Sequence, residues 1–429
     1  MPATPLPRRS FLQHSAAIAG GLSLAGAFPS ISSGADNNSK KLKLALVGCG
    51  GRGSGAANQA LTADSNCELA YFADIAQDQA ETALKNLTAK HPEKTKNAQV
   101  IVGLDAIDRV LATDVDVVLL TTPPGFRPEH FEKTVKAGKH AFCEKPVATD
   151  PAGLKRFMAA AKLSKEKKLG VQSGFCWRSN LAIRAAFEQI QKGSLGKVTT
   201  VYGTYLAATP WVKPRKEAWT DLEWQLRNWM YFTWLSGDHL VEQCIHSVDK
   251  MSWAFGDVDP ISAVAVGGRQ QRVESEYGHI YDHFGVVYEY PNDARGFIFC
   301  RQQSGCYNEN ADHIIGTDGV LKLNGFRKLE RITGKVDWKY DGPRPDMYQV
   351  EHDEFFASLR QGEPLNFAEK LAHSTMVGIL GRMAAYTGKV VTWDEIWKSE
   401  EDLRPKEALK WDMKLEVPPV AIPGRYPIA

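Results

Sequence analysis

The chain has 429 residues, 43% of them hydrophobic and 24% charged, with a formal net charge of +2. That length suits about two globular domains, and the near-neutral balance excludes a nucleic-acid-binding or polybasic membrane-binding protein. Beyond the N-terminal segment no apolar run is long enough to cross a bilayer.

Arg8-Arg9-Ser10-Phe11-Leu12 is a twin-arginine pattern, and a weakly apolar run follows from Ala16 to Phe28. Ala25-Gly26-Ala27 reads as a small-x-small cleavage site. The run is too short to anchor permanently. Residues 1–41 are therefore expected to be a signal and polar linker, directing export to the periplasm after folding and cofactor loading in the cytoplasm. The seven cysteines (Cys49, Cys67, Cys143, Cys176, Cys244, Cys300, Cys306) are odd in number and lack a C-x-x-C. They read as mostly free thiols, which cytoplasmic folding allows.

From Leu42 the chain reads strand, glycine loop, helix, strand, acid. KLKLALVG runs into Gly48-Cys49-Gly50-Gly51-Arg52-Gly53, a helical stretch follows, and a second strand, Glu68 to Ala73, ends at Asp74. In this context G-x-G-x-x-G is a dinucleotide signature. Its glycines permit the tight turn, the approach of a pyrophosphate and close helix–strand packing, with the helix N-terminus facing the anion. Asp74 is placed for an adenosine ribose, and Ile75 and Ala76 follow where an Arg would receive a 2′-phosphate, so NAD is expected rather than NADP. The α/β alternation continues through helix 77–89, helix 105–112, the apolar strand at Val115–Leu120 ending at Thr122-Pro123, a helix carrying His130, strand 140–143 ending at Glu144-Lys145-Pro146, helix 152–165 and strand 169–175. Gly48, Asp74, Thr122, Lys145 and Arg178 all fall at or just past strand C-termini, where open α/β sheets bind ligands.

After about Asn180 the period changes to two. Strands are predicted over 198–206, 261–269, 278–290 and 294–302, then helices over 349–359 and 368–387, with an irregular Pro-rich tail. The fold expected is an α/β Rossmann domain (42–175), an α+β domain with a large, mostly antiparallel open-faced sheet (176–390), and a C-terminal extension (391–429).

One continuous helix is expected over Gly237–Asp249, and on it Glu242, His246 and Asp249 share a stripe by i, i+4, i+7 spacing, with Asp238 one turn back. Acids and imidazole on an otherwise apolar helix are costly to bury unless they serve a site. His239, Glu242 and His246 also have the spacing of metal ligands, but nicotinamide chemistry needs no metal and none is expected. His279, Tyr281 and His283 alternate onto one strand face, read as an oligomer contact. Trp211, Trp219, Trp224, Trp229 and Trp234 crowd one segment and offer faces for sugar stacking.

The order G-x-G-x-x-G, Thr122-Pro123 before His130, Glu144-Lys145-Pro146 and His246-x-x-Asp249 resembles the Gfo/Idh/MocA oxidoreductases over roughly 42–390. The resemblance implies oxidation or reduction of a carbinol carbon of a sugar or cyclitol with a nicotinamide cofactor, and a sheet face used for homo-oligomers, dimers or tetramers. It implies cofactor contacts at Gly48, Gly50, Gly51, Arg52, Gly53, Asp74, Thr122, Pro123, His130, Glu144 and Lys145. His246 is the expected general acid/base, Lys145 the oxygen-polarising cation and Glu242 the orienting acid, at a position where the family carries Asp. Trp177, Arg178, Asp249 and His246 are the expected substrate contacts. The leading expectation is a pyranoside or cyclitol oxidoreductase, with C3 of a glycoside as the expected position of attack and its NAD held tightly. A redox-neutral NAD-dependent glycosidase, with Tyr202, Tyr205, His239 or Asp282 as second base, and a non-catalytic sugar or dinucleotide sensor are the alternatives.

Overall fold

Two sheets organise residues 40–427, the part of the chain that the computed structural model describes; the expected leader lies outside the described residues. The first sheet contains β1 (Leu42–Val47), β2 (Cys67–Asp74), β3 (Gln99–Val102), β4 (Val117–Leu120), β5 (His140–Cys143) and β6 (Val171–Ser173), all parallel, in the order β3-β2-β1-β4-β5-β6. β4 is buried along its whole length, as a central strand covered by helices on both faces must be. The order reverses between β1 and β4, and the crevice at such a switch point is where ligands sit.

The second sheet is mixed. It contains β7 (Val198–Ala207), β8 (Ser262–Gly268), β9 (His283–Tyr290), β10 (Ala294–Gln302), β11 (Glu309–Gly316), β12 (Gly319–Asn324), β13 (Leu329–Gly334), β14 (Trp338–Lys339) and β15 (Val391–Thr392). The order is β14-β13-β12-β11-β7-β10-β9-β8-β15, and only the central β7–β10 pair is parallel. Helices Ile245–Ala254 and Ala368–Thr387 cover one face so closely that a Cβ on Gly296 would lie 2.1 Å from Met251 Sδ, and one on Gly381 2.2 Å from the Tyr288 hydroxyl. The other face exposes Tyr202, Val264, Val266 and Phe299.

Two expected elements are corrected. The helix predicted over 237–249 is broken into His239–Glu242 and Ile245–Ala254. The Cys244 N–H reaches back to the His239 carbonyl, an i−5 bond that inserts one extra residue into the turn. The strand predicted from 278 starts only at His283. Asp282 diverts the backbone, its carboxylate accepting from the N–H groups of Gln270, Gln271 and Arg272, while Tyr281 N–H is taken by Asp238. His279 and Tyr281 are consequently buried, bonded to Thr233 and to the Ala421 carbonyl, and only His283 stays near the sheet surface. The tail also contributes β15 and helix Trp393–Lys398 before it becomes irregular. All seven cysteines are free, and among the described residues no helix is long and apolar enough to cross a membrane.

Candidate active site

The glycine loop is shaped by close backbone crossings. Gly48 has φ +97°, and a Cβ there would come within 2.7 Å of Thr121 C and Thr122 N, where β1 passes β4. A Cβ on Gly53 would lie 2.0 Å from the Gly48 carbonyl oxygen. Gly50 and Gly51, by contrast, have nothing within 4 Å of a built Cβ. They open onto a cavity of about 500 Å3, with helix Gly51–Ala63 starting at its edge. Unpaired N–H groups and the positive helix end there fit a pyrophosphate.

Asp74 closes the far side of this cavity. Its carboxylate accepts from Cys49 N–H at 2.7 Å and from Ala76 N–H at 2.9 Å. Burial pushes its pKa up, and these backbone donors oppose that shift. A carboxylate has about four lone-pair sites, more than its backbone donors fill, which leaves room for a ribose hydroxyl. All the expected cofactor residues line the cavity except Glu144 and Lys145. His130 is buried against Thr122, Nδ1 to Oγ1 3.3 Å, and burial lowers its pKa to about 4, so it is neutral at pH 7. Asp74→Arg is expected to weaken NAD binding by roughly ten- to a hundredfold, the worth of charge-assisted hydrogen bonds, and to admit NADP. Titration of both dinucleotides checks this, and an unchanged preference would place Asp74 off the ribose.

Glu144 ties the glycine loop to the lysine that follows it. Arg52 Nε lies 3.0 Å from Glu144 Oε1, and Lys145 N–H donates to Oε2 at 3.2 Å. Lys145 Nζ then crosses to the second domain, donating to Glu242 Oε1 at 3.1 Å and to its carbonyl at 2.7 Å. Both side chains are largely buried, 13% and 11% exposed. His246 follows on the next helix, edge-on to Phe175, with its Nδ1 buried and without a hydrogen-bond partner among the described residues. Burial first, then the nearby Lys145 and Lys250 cations, hold its pKa well below the usual imidazole value. A neutral imidazole beside an ammonium is set to take a proton from a hydroxyl rather than to carry one at rest.

Other expected site residues are engaged elsewhere. Arg178 does not open onto this cluster: it binds Asp249 through Nε at 3.0 and 2.9 Å and Asp257 through its terminal nitrogens at 3.2 and 2.6 Å, and lies over Trp253. Asp249 is 1% exposed and also accepts from Ser374 Oγ at 2.7 Å, so its oxygens are committed to an internal network. Trp177 packs on the core beneath Lys250, which is ion-paired with Asp312. The sequence reading missed Lys250, one turn from His246. His239 turns away from Glu242 towards Asp238 and Phe284, and among the described residues no three His, Cys, Asp or Glu side chains converge as metal ligands would. Of the proposed second bases, Tyr202 lies on the exposed sheet face and Asp282 is held by backbone donors; Tyr205 is close enough to Glu242 for the carboxylate to raise its pKa further than burial alone does. Of the tryptophans, Trp211 and Trp229 line the nucleotide cavity, whereas Trp224 and Trp234 are buried in a local core.

Comparison with known proteins agrees with this architecture. Residues 42–173 match the family model described as an oxidoreductase family with an NAD-binding Rossmann fold, and residues 183–322 match the GFO/IDH/MocA C-terminal domain. An inositol 2-dehydrogenase of Saccharopolyspora erythraea is 24% identical over 82% of this chain and 90% of its own. A glycosyl hydrolase family 109 protein of Streptomyces coelicolor is 29% identical over 38% of this chain and 34% of its own. The crystal structure of an aldose–aldose oxidoreductase from Caulobacter crescentus shares the fold, with a TM-score of 0.66 at 20% identity over 82% of this chain and all of that one. Two domain matches in sequence, the parallel NAD-binding sheet and the mixed second sheet together establish that the chain belongs to the Gfo/Idh/MocA family of NAD-binding oxidoreductases.

Proposed function

We propose that this NAD-dependent oxidoreductase oxidises a carbinol carbon of a sugar, glycoside or cyclitol, with C3 of a pyranoside as the position attacked, and that it keeps its cofactor through turnover. The observation that carries this reading is the convergence of Lys145, Glu242 and His246 next to the glycine-loop cavity, joined to it through Arg52 and Glu144. Bound NAD would supply the hydride acceptor. His246 takes the hydroxyl proton, the Lys145 ammonium stabilises the developing alkoxide, and Glu242 fixes where that ammonium points. The inositol dehydrogenase relative supports a polyol substrate.

Retention follows from the leader. Arg8-Arg9 and the apolar run after it support export in a folded state, and free NAD is not plentiful outside the cytoplasmic membrane. The exposed sheet face with Tyr202, Val264, Val266 and Phe299 supports assembly with further copies of the chain as a dimer or tetramer. The family 109 relative and the position of Tyr205 beside Glu242 support a second reading, redox-neutral glycoside cleavage with transient C3 oxidation. The test is to purify the protein without added nucleotide, denature it and assay released NAD(H), before and after incubation with methyl glucoside. The expected result is stoichiometric NAD that becomes NADH with the sugar; cleavage of the glycoside without net NADH would select the second reading, and empty protein would remove the argument for retention.

A further inference from the structure

The cavity described above is not built by the first domain alone. Trp211, Lys213, Leu226, Arg227 and Trp229 line it opposite Asp74, Ile75 and Gln79. These residues belong to the segment between β7 and β8, more than a hundred residues beyond the glycine loop. They meet the cavity at its Asp74 end, where the adenosine half of a dinucleotide lies in this fold. Lys213 is close enough to Asp74 and Asp78 for both carboxylates to act on its ammonium.

We infer that residues 211–229 form a strap over the adenosine diphosphate half of bound NAD, and that the Arg227–Asp78 ion pair is its latch. Arg227 reaches Asp78, on the helix Gln77–Lys90 that follows Asp74, with both terminal nitrogens, at 3.1 and 3.2 Å. Its Nε is held by Glu223 at 2.8 Å, and its guanidinium lies over the Trp219 ring at 5.1 Å. A bidentate arginine fixed at its third nitrogen presents a preformed fork and loses little side-chain freedom on pairing.

The strap has its own support on the second-domain side. Asn228, fully buried, receives the Lys213 N–H at 2.7 Å and donates to the Lys213 carbonyl at 2.9 Å. The Tyr231 hydroxyl donates to the Pro210 and Trp211 carbonyls at 3.0 and 3.1 Å. Leu222, Leu226, Tyr231 and Phe232 form a small core against which Ile75, Leu104 and Phe126 of the first domain pack. The backbone is thus held without help from nucleotide, and the span that must give way for the adenosine end to leave is the one bridged by Arg227 and Asp78. Slow release of NAD deepens the retained-cofactor reading and rests on it for its biological meaning.

The test is the dissociation rate of NADH, followed by loss of its fluorescence when NADH-loaded enzyme is mixed with excess NAD. Arg227→Ala and Asp78→Ala are each expected to raise that rate roughly fivefold, the scale of one partly exposed ion pair. The exchanged pair, Asp78→Arg with Arg227→Asp, is expected to recover most of the loss. Arg227→Lys serves as a milder substitution if the alanine variant folds poorly, and should lie between the two. Both single variants releasing NADH at the wild-type rate would overturn the latch. The ratio of rates is defined whether or not wild-type protein emerges from purification carrying NAD, so failure of the latch and failure of the retention reading are separate results.

Discussion

Replacing His246 with alanine is expected to lower turnover by two to four powers of ten, the usual contribution of a positioned general base, while leaving NAD binding within a fewfold of wild type. The imidazole is 9% exposed, lies next to the Lys145 ammonium, and its Nδ1 has no hydrogen-bond partner among the described residues. Its sign in pH follows from its surroundings. Burial and two neighbouring cations depress its pKa well below the usual value of 6.5, so the basic form persists below neutrality. The acid limb of kcat/KM is therefore expected below pH 6.5 and should disappear in the alanine variant. Steady-state rates with a methyl glycoside from pH 5 to 9 provide the check. Turnover close to wild type in His246→Ala would remove the imidazole from the chemistry. Sugar binding without turnover in wild type, unaffected by the substitution, would instead identify a sensor.

What could be read from sequence divides along the distance between partners. Gly48, Gly53 and Asp74 were legible because their roles are local: a turn, a packing contact and a strand end, all within one strand–helix–strand unit. Lys145 and His246 are picked out by residue type at a strand end and on a helix, and the structure sets them near one another. Asp249 was misplaced because a stripe on an ideal helix says nothing of the i−5 turn at Cys244, nor that Arg178 and Ser374 claim the carboxylate. His279 and Tyr281 were misplaced because alternation alone cannot show that Asp282 and Asp238 bend the backbone out of the sheet. The tryptophan cluster drew notice as a sugar platform, yet Trp211 and Trp229 line the nucleotide cavity. Nothing local could reveal this, since the ion pair between this segment and the helix after Asp74 joins residues 149 apart.

Lys145→Met is expected to cost turnover about as much as loss of an oxyanion donor, on the order of a hundred- to a thousandfold in kcat. The two interactions of Lys145 must be separated to interpret that loss. In the folded protein its ammonium neutralises Glu242, whose side chain is only 11% exposed. Methionine of similar length removes the charge and leaves the carboxylate buried and unpaired, which destabilises the fold as well as the transition state. Lys145→Met with Glu242→Gln removes both charges and keeps the shapes. If the lysine polarises the substrate oxygen, the double variant regains thermal stability, read as the unfolding midpoint, but not turnover. If Lys145 serves only to neutralise the buried Glu242 charge, and neither side chain acts on substrate, the double variant recovers both together. Divergence of the two readouts means that one of the pair acts in turnover, and Glu242→Gln alone, which keeps the ammonium, tells which: turnover near wild type there assigns the loss to an electrophilic lysine without knowledge of which sugar the enzyme takes.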